Sequence, residues 1–183
     1  LPQLEQELAE LLAKIARGRE SALGKLYDKT ISQVYGLAAK ILSSYDEADE
    51  VSLDVFNQVW QKSLEYSPDR GSPSAWLITL TRSRAIDKLR SGKKRRLLQD
   101  PLPDNMPDNS GAPDEETETR EKRELIESAL SELPASQRRS IELAYFHGMS
   151  QTEISAHLNE PLGTVKSWMR AGMAKLRQRL CEG

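Results

Sequence analysis

A proline-rich acidic segment in the middle of the chain separates the sequence into two parts. Residues 99–114 contain four prolines, one glycine and no periodic pattern of apolar residues. Proline removes a backbone donor and restricts its neighbour, and a stretch of low hydrophobicity has little to bury. We therefore predict a flexible linker at 99–116, which joins a first domain at 1–98 to a second domain at 117–183.

The charged side chains are distributed unevenly over these parts. The formal net charge of the chain is −2, but residues 1–98 carry 16 basic and 13 acidic side chains. Residues 99–120 carry one basic and seven acidic side chains, and residues 121–183 carry nine basic and eight acidic ones. The acidic middle thus hides two mildly basic flanks, and this distribution is compatible with binding to nucleic acid.

Apolar residues recur at helical spacing on both sides of the linker, and no stretch has the alternating pattern of a strand. This pattern predicts an all-α protein of two small helical domains, with three or four helices in the first. Ser72 and Pro73 have the residue types of a helix cap and first position. Besides helices within the first 45 residues, we predict helices at about 46–64, 73–95, 117–132, 135–146, 150–158 and 162–180.

The second domain carries the pattern of a helix-turn-helix. Ser150 and Glu153 have the spacing of a capping box, which opens a short helix. A turn at 159–161 separates this helix from a longer one that has no acidic residue between positions 163 and 180. In DNA-binding proteins of this kind the second helix enters the major groove, so we predict DNA contact by the last helix. Its basic residues are Lys166, Arg170, Lys175, Arg177 and Arg179.

A second basic cluster closes the first domain. It follows a segment at 66–76 that combines turn residues, aromatic rings and a cation. Such a combination suits single-stranded nucleic acid, because unpaired bases stack on the rings while cations neutralise the phosphates. We favour nucleic-acid binding for the cluster but expect Trp76 to be a core residue. The basic residues are Arg82, Arg84, Lys88, Arg90, Lys93, Lys94, Arg95 and Arg96.

The predicted helix at 46–64 has the opposite character. Five acidic residues occupy its first turns and apolar residues follow. Acidic side chains are favourable near any helix N-terminus, which accounts for only some of them. The mixed acidic and apolar surface predicts a protein partner. The acidic residues are Asp46, Glu47, Asp49, Glu50 and Asp54, and the apolar ones include Val51, Val55, Phe56 and Trp60.

Two sets of motifs occur in a fixed order around the linker. The first set comprises Asp49-Glu50, Asp54-Val-Phe56, Val59-Trp60, Asp69-Arg-Gly-Ser72, Ala75-Trp-Leu77, Arg84-Ala-Ile-Asp87 and Leu89-Arg90. The second comprises Leu133-Pro134, Gln137-Arg138, Ile141-Glu-Leu-Ala-Tyr145, Gly148-Met-Ser150, Glu153-Ile154, Pro161-Leu-Gly-Thr-Val-Lys-Ser167, Arg170 and Leu176-Arg177. Over about 20–98 and 120–181 the chain resembles an extracytoplasmic-function (ECF, group IV) RNA polymerase sigma factor.

The resemblance implies an alternative sigma factor that binds RNA polymerase core and directs promoter-specific transcription initiation. Residues 1–98 would form sigma domain 2, a helical bundle that binds core and recognises and melts the −10 element. Residues 117–183 would form sigma domain 4, whose helix-turn-helix reads the −35 element. The implied residues are Glu50, Asp54, Phe56 and Trp60 for core; Tyr66, Asp69, Arg70, Arg82, Ser83 and Asp87 for −10; and Thr164, Lys166, Ser167 and Arg170 for −35.

The resemblance also implies a regulator. An anti-sigma factor would hold the chain inactive, and in many family members it is the cytoplasmic domain of a membrane-anchored protein. Two positions depart from the family pattern. Leu53 stands where a polar Gln is common in the core-binding helix, and Trp168 stands where many members have Arg. Because Trp cannot make a bidentate contact to guanine, we expect Trp168 to pack on a sugar or thymine methyl, or against the protein core.

Two other classes of function compete with this interpretation. A helix-turn-helix regulator that acts without polymerase would need a sensor or dimerisation module in residues 1–98, where no such pattern occurs. An enzyme would need a phosphate loop, a metal set or a nucleophile with its base, and none is evident. We therefore predict a protein without enzymatic activity, cofactor or metal. The single Cys181 and the lack of a signal peptide or long apolar stretch predict a cytoplasmic location without membrane insertion.

Overall fold

The computed structural model describes residues 2–96 and 117–182, so the predicted linker at 99–116 lies outside the described residues. Within those two ranges the regular structure is helical and no strand occurs, which confirms the all-α class. The chain forms two compact units, Leu1–Pro113 and Asp114–Gly183. The helices are α1 Pro2–Ile15, α2 Glu20–Leu42, α3 Tyr45–Lys62 and α4 Pro73–Arg96 in the first unit, and α5 Thr117–Ser131, α6 Ala135–Tyr145, α7 Gln151–Leu158 and α8 Leu162–Glu182 in the second.

Helix α2 lies at the centre of the first unit and packs against α1, α3 and α4. Its buried side chains, among them Leu26 and Val34, recur at helical spacing. On the helices packed against α2, Leu8 and Leu12 of α1 and Val55 of α3 are at most 2% exposed. Burial of each such side chain contributes about 1.5–3 kcal/mol, so this apolar core holds the four helices together.

Thr30, Ser52 and Thr81 carry buried hydroxyl groups within the helices of the first unit. The hydroxyls of Thr30, Ser52 and Thr81 donate to carbonyl oxygens four residues earlier in their own helices, at 2.7, 2.7 and 2.8 Å. These bonds satisfy the hydroxyls locally, so their burial carries no cost of an unpaired polar group.

Side-chain caps begin α3 and α4 where the sequence places capping residues. The hydroxyl of Ser44 accepts a hydrogen bond from the Glu47 amide at 3.3 Å. The hydroxyl of Ser72 accepts one from the Ala75 amide at 3.3 Å, which confirms the predicted start of α4. The helix predicted at 46–64 ends at Lys62, and a short 3₁₀ turn follows at Ser63–Glu65.

In the second unit α8 packs against α5, α6 and α7. Leu143, Ile154 and Val165 form its central cluster, one from each of α6, α7 and α8. The capping box at the start of α7 is confirmed, since the Ser150 hydroxyl accepts from the Glu153 amide and the Glu153 carboxylate accepts from the Ser150 amide. These contacts produce the predicted helix-turn-helix.

Helix α8 approaches α6 closely at Gly172. A Cβ atom at Gly172 would lie 2.7 Å from Cδ1 of Ile141 and 3.3 Å from Cβ of Gln137. A distance of 2.7 Å is well below van der Waals contact, so a larger side chain here would require the Ile141 side chain or the helices to shift. Glycine therefore allows the close packing that fixes α8 on the second unit.

Candidate polymerase and nucleic-acid interfaces

The first turns of α8 present polar side chains to solvent. Val165 is fully buried against Leu143 and Ile154, and this anchor sets the rotation of the helix. Because Lys166, Ser167 and Arg170 lie off the buried face, their side chains are exposed. Thr164 is half-buried beside them, and its amide donates to the Pro161 carbonyl at 2.9 Å. The structure thus brings the four predicted −35 residues together at the N-terminal end of α8.

Two further residues of α8, Trp168 and Arg179, are not simply exposed side chains that face DNA. Trp168 is half-buried on the flank of this surface. Arg179, one of the cations expected to face DNA, donates from Nε and Nη2 to the two carboxylate oxygens of Glu132, in the turn after α5. The hydrogen bond from Arg179 lowers the pKa of Glu132 below its ordinary value of 4.5. Arg179 therefore joins the turn between α5 and α6 to α8, and this role is structural.

A recess of about 280 Å³ opens between the loop after α3 and the first turns of α4. Two aromatic rings form its walls, Tyr66 from the loop and Trp76 from α4, with ring centroids 5.8 Å apart in an edge-to-face arrangement. Residues that line it also include Ser67, Arg70, Gly71 and Thr79. Trp76 is only half-buried, which corrects the expectation that it belongs to the core.

The loop that forms the recess has a defined backbone. The hydroxyl of Tyr66 donates to the Gly71 carbonyl at 3.2 Å across the 3₁₀ turn Pro68–Arg70. Gly71 has a φ of +138°, a conformation that side-chain-bearing residues rarely adopt. Burial raises the pKa of the Tyr66 hydroxyl, and the negative charge of Glu5 on α1 adds to this shift. The phenol thus stays protonated and able to hold the loop.

The other predicted −10 residues lie on the loop and along α4. Arg70 lines the recess, whereas Asp69 is exposed and lies outside the lining. Ser83 and Asp87 are exposed and follow Thr79 at helical spacing, so one face of α4 continues from the recess. Arg82 is half-buried next to this face. The side chains of residues 93–96, the end of the predicted basic cluster, lie outside the described residues.

The predicted polymerase surface on α3 is only partly exposed. Asp54 is exposed and Trp60 is 36% exposed, as a contact surface requires. Glu50 is exposed but accepts a hydrogen bond from Lys88 of α4 at 2.6 Å. Phe56 is only 5% exposed and packs on the ring of Tyr27 at 4.8 Å. This burial corrects the assignment of Phe56 to the polymerase surface, because its ring holds α3 on α2.

Sequence reasoning did not assign two exposed apolar residues to this surface. Leu53 is 63% exposed and Leu64 is 80% exposed. Trp60, which is 36% exposed, lies seven positions after Leu53 on α3 beside the acidic residues, and Leu64 lies in the 3₁₀ turn Ser63–Glu65 that follows the helix. The available signal was the position of Leu53, which is out of phase with the buried residues Val51 and Val55. We call Leu53, Trp60 and Leu64 the apolar stripe of α3.

No group of three or more His, Cys, Asp or Glu side chains among the described residues is placed to hold a metal ion. No helix in the described ranges is long and apolar enough to span a membrane.

Comparison with known proteins gives matches on both sides of the linker. The family model for Sigma-70 region 2 matches residues 26–96, and the model for Sigma-70, region 4 matches residues 123–176. Among solved structures, Rhodobacter sphaeroides SigE in complex with the anti-sigma ChrR is 30% identical, with a TM-score of 0.48, over 95% of this chain and 98% of that chain.

Curated relatives match nearly the whole chain. The ECF RNA polymerase sigma factor SigK of Mycobacterium ulcerans (strain Agy99) is 35% identical over 187 residues, which cover 98% of this chain and 96% of the relative. SigK of Mycobacterium tuberculosis (strain CDC 1551 / Oshkosh) is 33% identical over 187 residues, with the same coverage. This similarity extends over both family-model regions and confirms the resemblance seen in the motifs. The chain therefore belongs to the family of ECF RNA polymerase sigma factors.

Proposed function

We propose that three surfaces of this sigma factor divide the work of promoter recognition. The recess lined by Tyr66 and Trp76 takes an unpaired base of the −10 element, the start of α8 reads the −35 element, and α3 docks on RNA polymerase core. The observation that carries the proposal is the recess, because two aromatic walls beside a cation form a site for one unstacked base.

The recess suits a base that has left the duplex. Tyr66 and Trp76 provide π-faces and edges, and Arg70 provides a positive charge for the neighbouring phosphate. The exposed face of α4 with Ser83 and Asp87 continues from the recess and offers polar partners to adjacent bases. Unstacking costs a few kcal/mol, and stacking on aromatic side chains offsets about 1–3 kcal/mol per base.

The start of α8 suits duplex DNA. Lys166 and Arg170 are exposed, one turn apart, and no acidic side chain of α8 lies near them. Ser167 lies between them and offers a hydroxyl to a base edge or a phosphate. The capped α7 and the buried Val165 hold this face in a fixed orientation, which a helix needs in order to read base edges in the major groove.

Helix α3 suits a basic and apolar partner surface. Glu50 and Asp54 flank the apolar stripe of α3, so the surface combines negative charge with exposed Leu53 and Trp60. Large exposed apolar groups rimmed by polar ones are typical of protein interaction sites. As a sigma factor the chain binds RNA polymerase core, and this surface is the one that we assign to the contact.

The arrangement of the whole chain follows from these assignments. We assign residues 1–98 to sigma domain 2, residues 117–183 to sigma domain 4 and residues 99–116 to a flexible linker between them. We assign no enzymatic step and no cofactor to the chain, because the polymerase supplies the chemistry. We assign it a cytoplasmic location. An anti-sigma factor that covers the DNA-binding and polymerase-binding surfaces would keep the chain inactive, and a membrane-anchored inhibitor is one form of this partner.

The assignment of the −35 surface is tested with holoenzyme reconstituted from core and the full chain. The variant Lys166→Ala/Arg170→Ala should bind duplex promoter DNA about tenfold or more weakly, with a shallower dependence on salt, since two cations no longer displace counterions. The control Arg17→Ala/Lys25→Ala removes the same charge from exposed positions of the first unit and should leave binding unchanged. Unchanged promoter affinity in the first variant would refute the assignment.

A further inference from the structure

The first turn of α4 donates a hydrogen bond to a residue outside its own helix. Pro73 has no amide hydrogen, and the Ala75 amide is capped by the Ser72 hydroxyl at 3.3 Å. The Ser74 amide donates to Oε2 of Glu5 at 3.2 Å. Glu5 lies on α1 and is 69 residues from Ser74 in sequence. Amide groups at a helix start lack helical partners, so Glu5 satisfies a donor that α4 cannot satisfy by itself.

This bond is made by a residue that lies between residues of the recess in the sequence. Ser74 is two residues before Trp76, which forms one wall, and three residues after Gly71, to which the other wall, Tyr66, is bonded. A carboxylate at a helix N-terminus also interacts favourably with the helix dipole, and a hydrogen bond to a charged acceptor is stronger than a neutral one. The negative charge of Glu5 also contributes to the raised pKa of the Tyr66 hydroxyl.

We propose that Glu5 is a positioning residue of the recess, whose carboxylate holds the first turn of α4 and so sets the separation of the Tyr66 and Trp76 rings. The inference rests on the proposed function of the recess as a base-binding site. Glu5 lies outside residues 26–96, the span matched by the family model for Sigma-70 region 2. Helix α1 would then support base binding in the recess, in addition to packing its apolar side chains in the interior of the first unit.

The test uses holoenzyme reconstituted with the full chain and fork-junction DNA from a promoter that the holoenzyme transcribes. In the intact fork, one strand of the −10 element is left unpaired. In a second set of forks, each −10 nucleotide of that strand is replaced in turn by an abasic nucleotide. Glu5→Ala should weaken binding of the intact fork about fivefold, which is less than the full contribution of one charge-assisted hydrogen bond, because the turn is displaced and not lost. Glu5→Gln keeps an acceptor oxygen and should recover most of the affinity.

The abasic forks separate positioning from a general effect on folding. On the fork that lacks the captured base, Glu5→Ala should cause no further loss, because the recess is already empty. The matched control is Glu7→Ala on the same helix, where the acid pairs with Lys29 at 3.1 Å instead. This control should bind intact forks normally.

The outcomes distinguish this inference from the function on which it rests. If Tyr66→Ala and Trp76→Ala leave binding of the intact fork unchanged, the recess does not take a base and both proposals fail. If those variants weaken binding but Glu5→Ala does not, only the positioning role fails. An equal loss on intact and abasic forks for Glu5→Ala also overturns it, since the effect would then not pass through the recess.

Discussion

Replacement of Gly172 by alanine should loosen the second unit, although alanine is the better helix former. In an exposed helix interior the change from glycine to alanine stabilises by about 1 kcal/mol. At Gly172 the new Cβ would lie 2.7 Å from Cδ1 of Ile141 and 3.3 Å from Cβ of Gln137. Ile141 is 8% exposed, so its side chain has little space into which to turn.

The size of the effect follows from these two opposed terms. Overpacking a close contact costs about 1–3 kcal/mol, because backbone or side chains must shift. The gain in helix propensity of about 1 kcal/mol is subtracted from this overpacking cost. We therefore expect Gly172→Ala to destabilise the packing of α6 and α8 by up to about 2 kcal/mol. Gly24 in α2 is the comparison, since a Cβ there meets nothing within 4 Å. Gly24→Ala should stabilise α2 by about 0.5–1 kcal/mol.

The assay is amide hydrogen exchange of the full chain, read by mass spectrometry for peptides from α2, α6 and α8. Exchange reports local free energies of opening, so the two units are measured separately in one experiment. Gly172→Ala should speed exchange in α6 and α8 and leave α2 unchanged. Gly24→Ala should slow exchange in α2 alone.

A double-mutant cycle identifies the atom responsible. Ile141→Val deletes Cδ1, the atom nearest to the new Cβ, and by itself should cost about 0.5–1.5 kcal/mol. In that background Gly172→Ala should cost about 1 kcal/mol less than in the parent chain, because contacting residues couple by such amounts. Slower exchange in α6 and α8 for Gly172→Ala, or strict additivity of the two changes, would refute the close-packing argument.

Two further predictions concern the ion pair of the second unit and the polymerase surface. Because Arg179 lowers the pKa of Glu132, the stabilisation from this pair is present above pH 4.5 and lost as the pH falls through the lowered pKa. Thermal unfolding followed at pH 6 and pH 3 should show this loss, and Glu132→Gln should remove that part of the pH dependence; an equal pH dependence in both proteins would contradict it. Asp54→Ala/Trp60→Ala should weaken binding to RNA polymerase core by about 1–3 kcal/mol without altering promoter contacts, as measured by competition for core. Normal core affinity in this variant would remove α3 from the polymerase surface.

Local interactions explain why the helices and their caps were predictable. The apolar spacing of α2 and α3, the Ser72 cap and the Ser150–Glu153 capping box all involve residues within about four positions of one another. Such contacts form in almost any context that permits the helix. The helix-turn-helix and the exposed side chains of α8 follow from the same local pattern, since Val165 is the apolar residue among polar neighbours.

Tertiary packing decided which aromatic side chains face solvent. Phe56 and Trp60 are one turn apart on α3, yet the first is buried on Tyr27 and the second remains exposed. Trp76 was expected in the core and instead forms a wall of the recess. Periodicity identifies an apolar stripe, but the width of the buried part depends on where the neighbouring helices cross.

Contacts between distant residues were not accessible from the sequence. Glu5 and Ser74 are 69 positions apart, and Glu50 and Lys88 are 38 apart. Charged residues are common on every helix of this chain, so composition and spacing do not indicate which pairs meet. The sequence by itself therefore determined the helices, their caps and the family of this protein. Only the packing of α1, α3 and α4 around α2 decided which distant groups meet, such as Glu5 and the Ser74 amide, because that packing brings separate turns of the chain together.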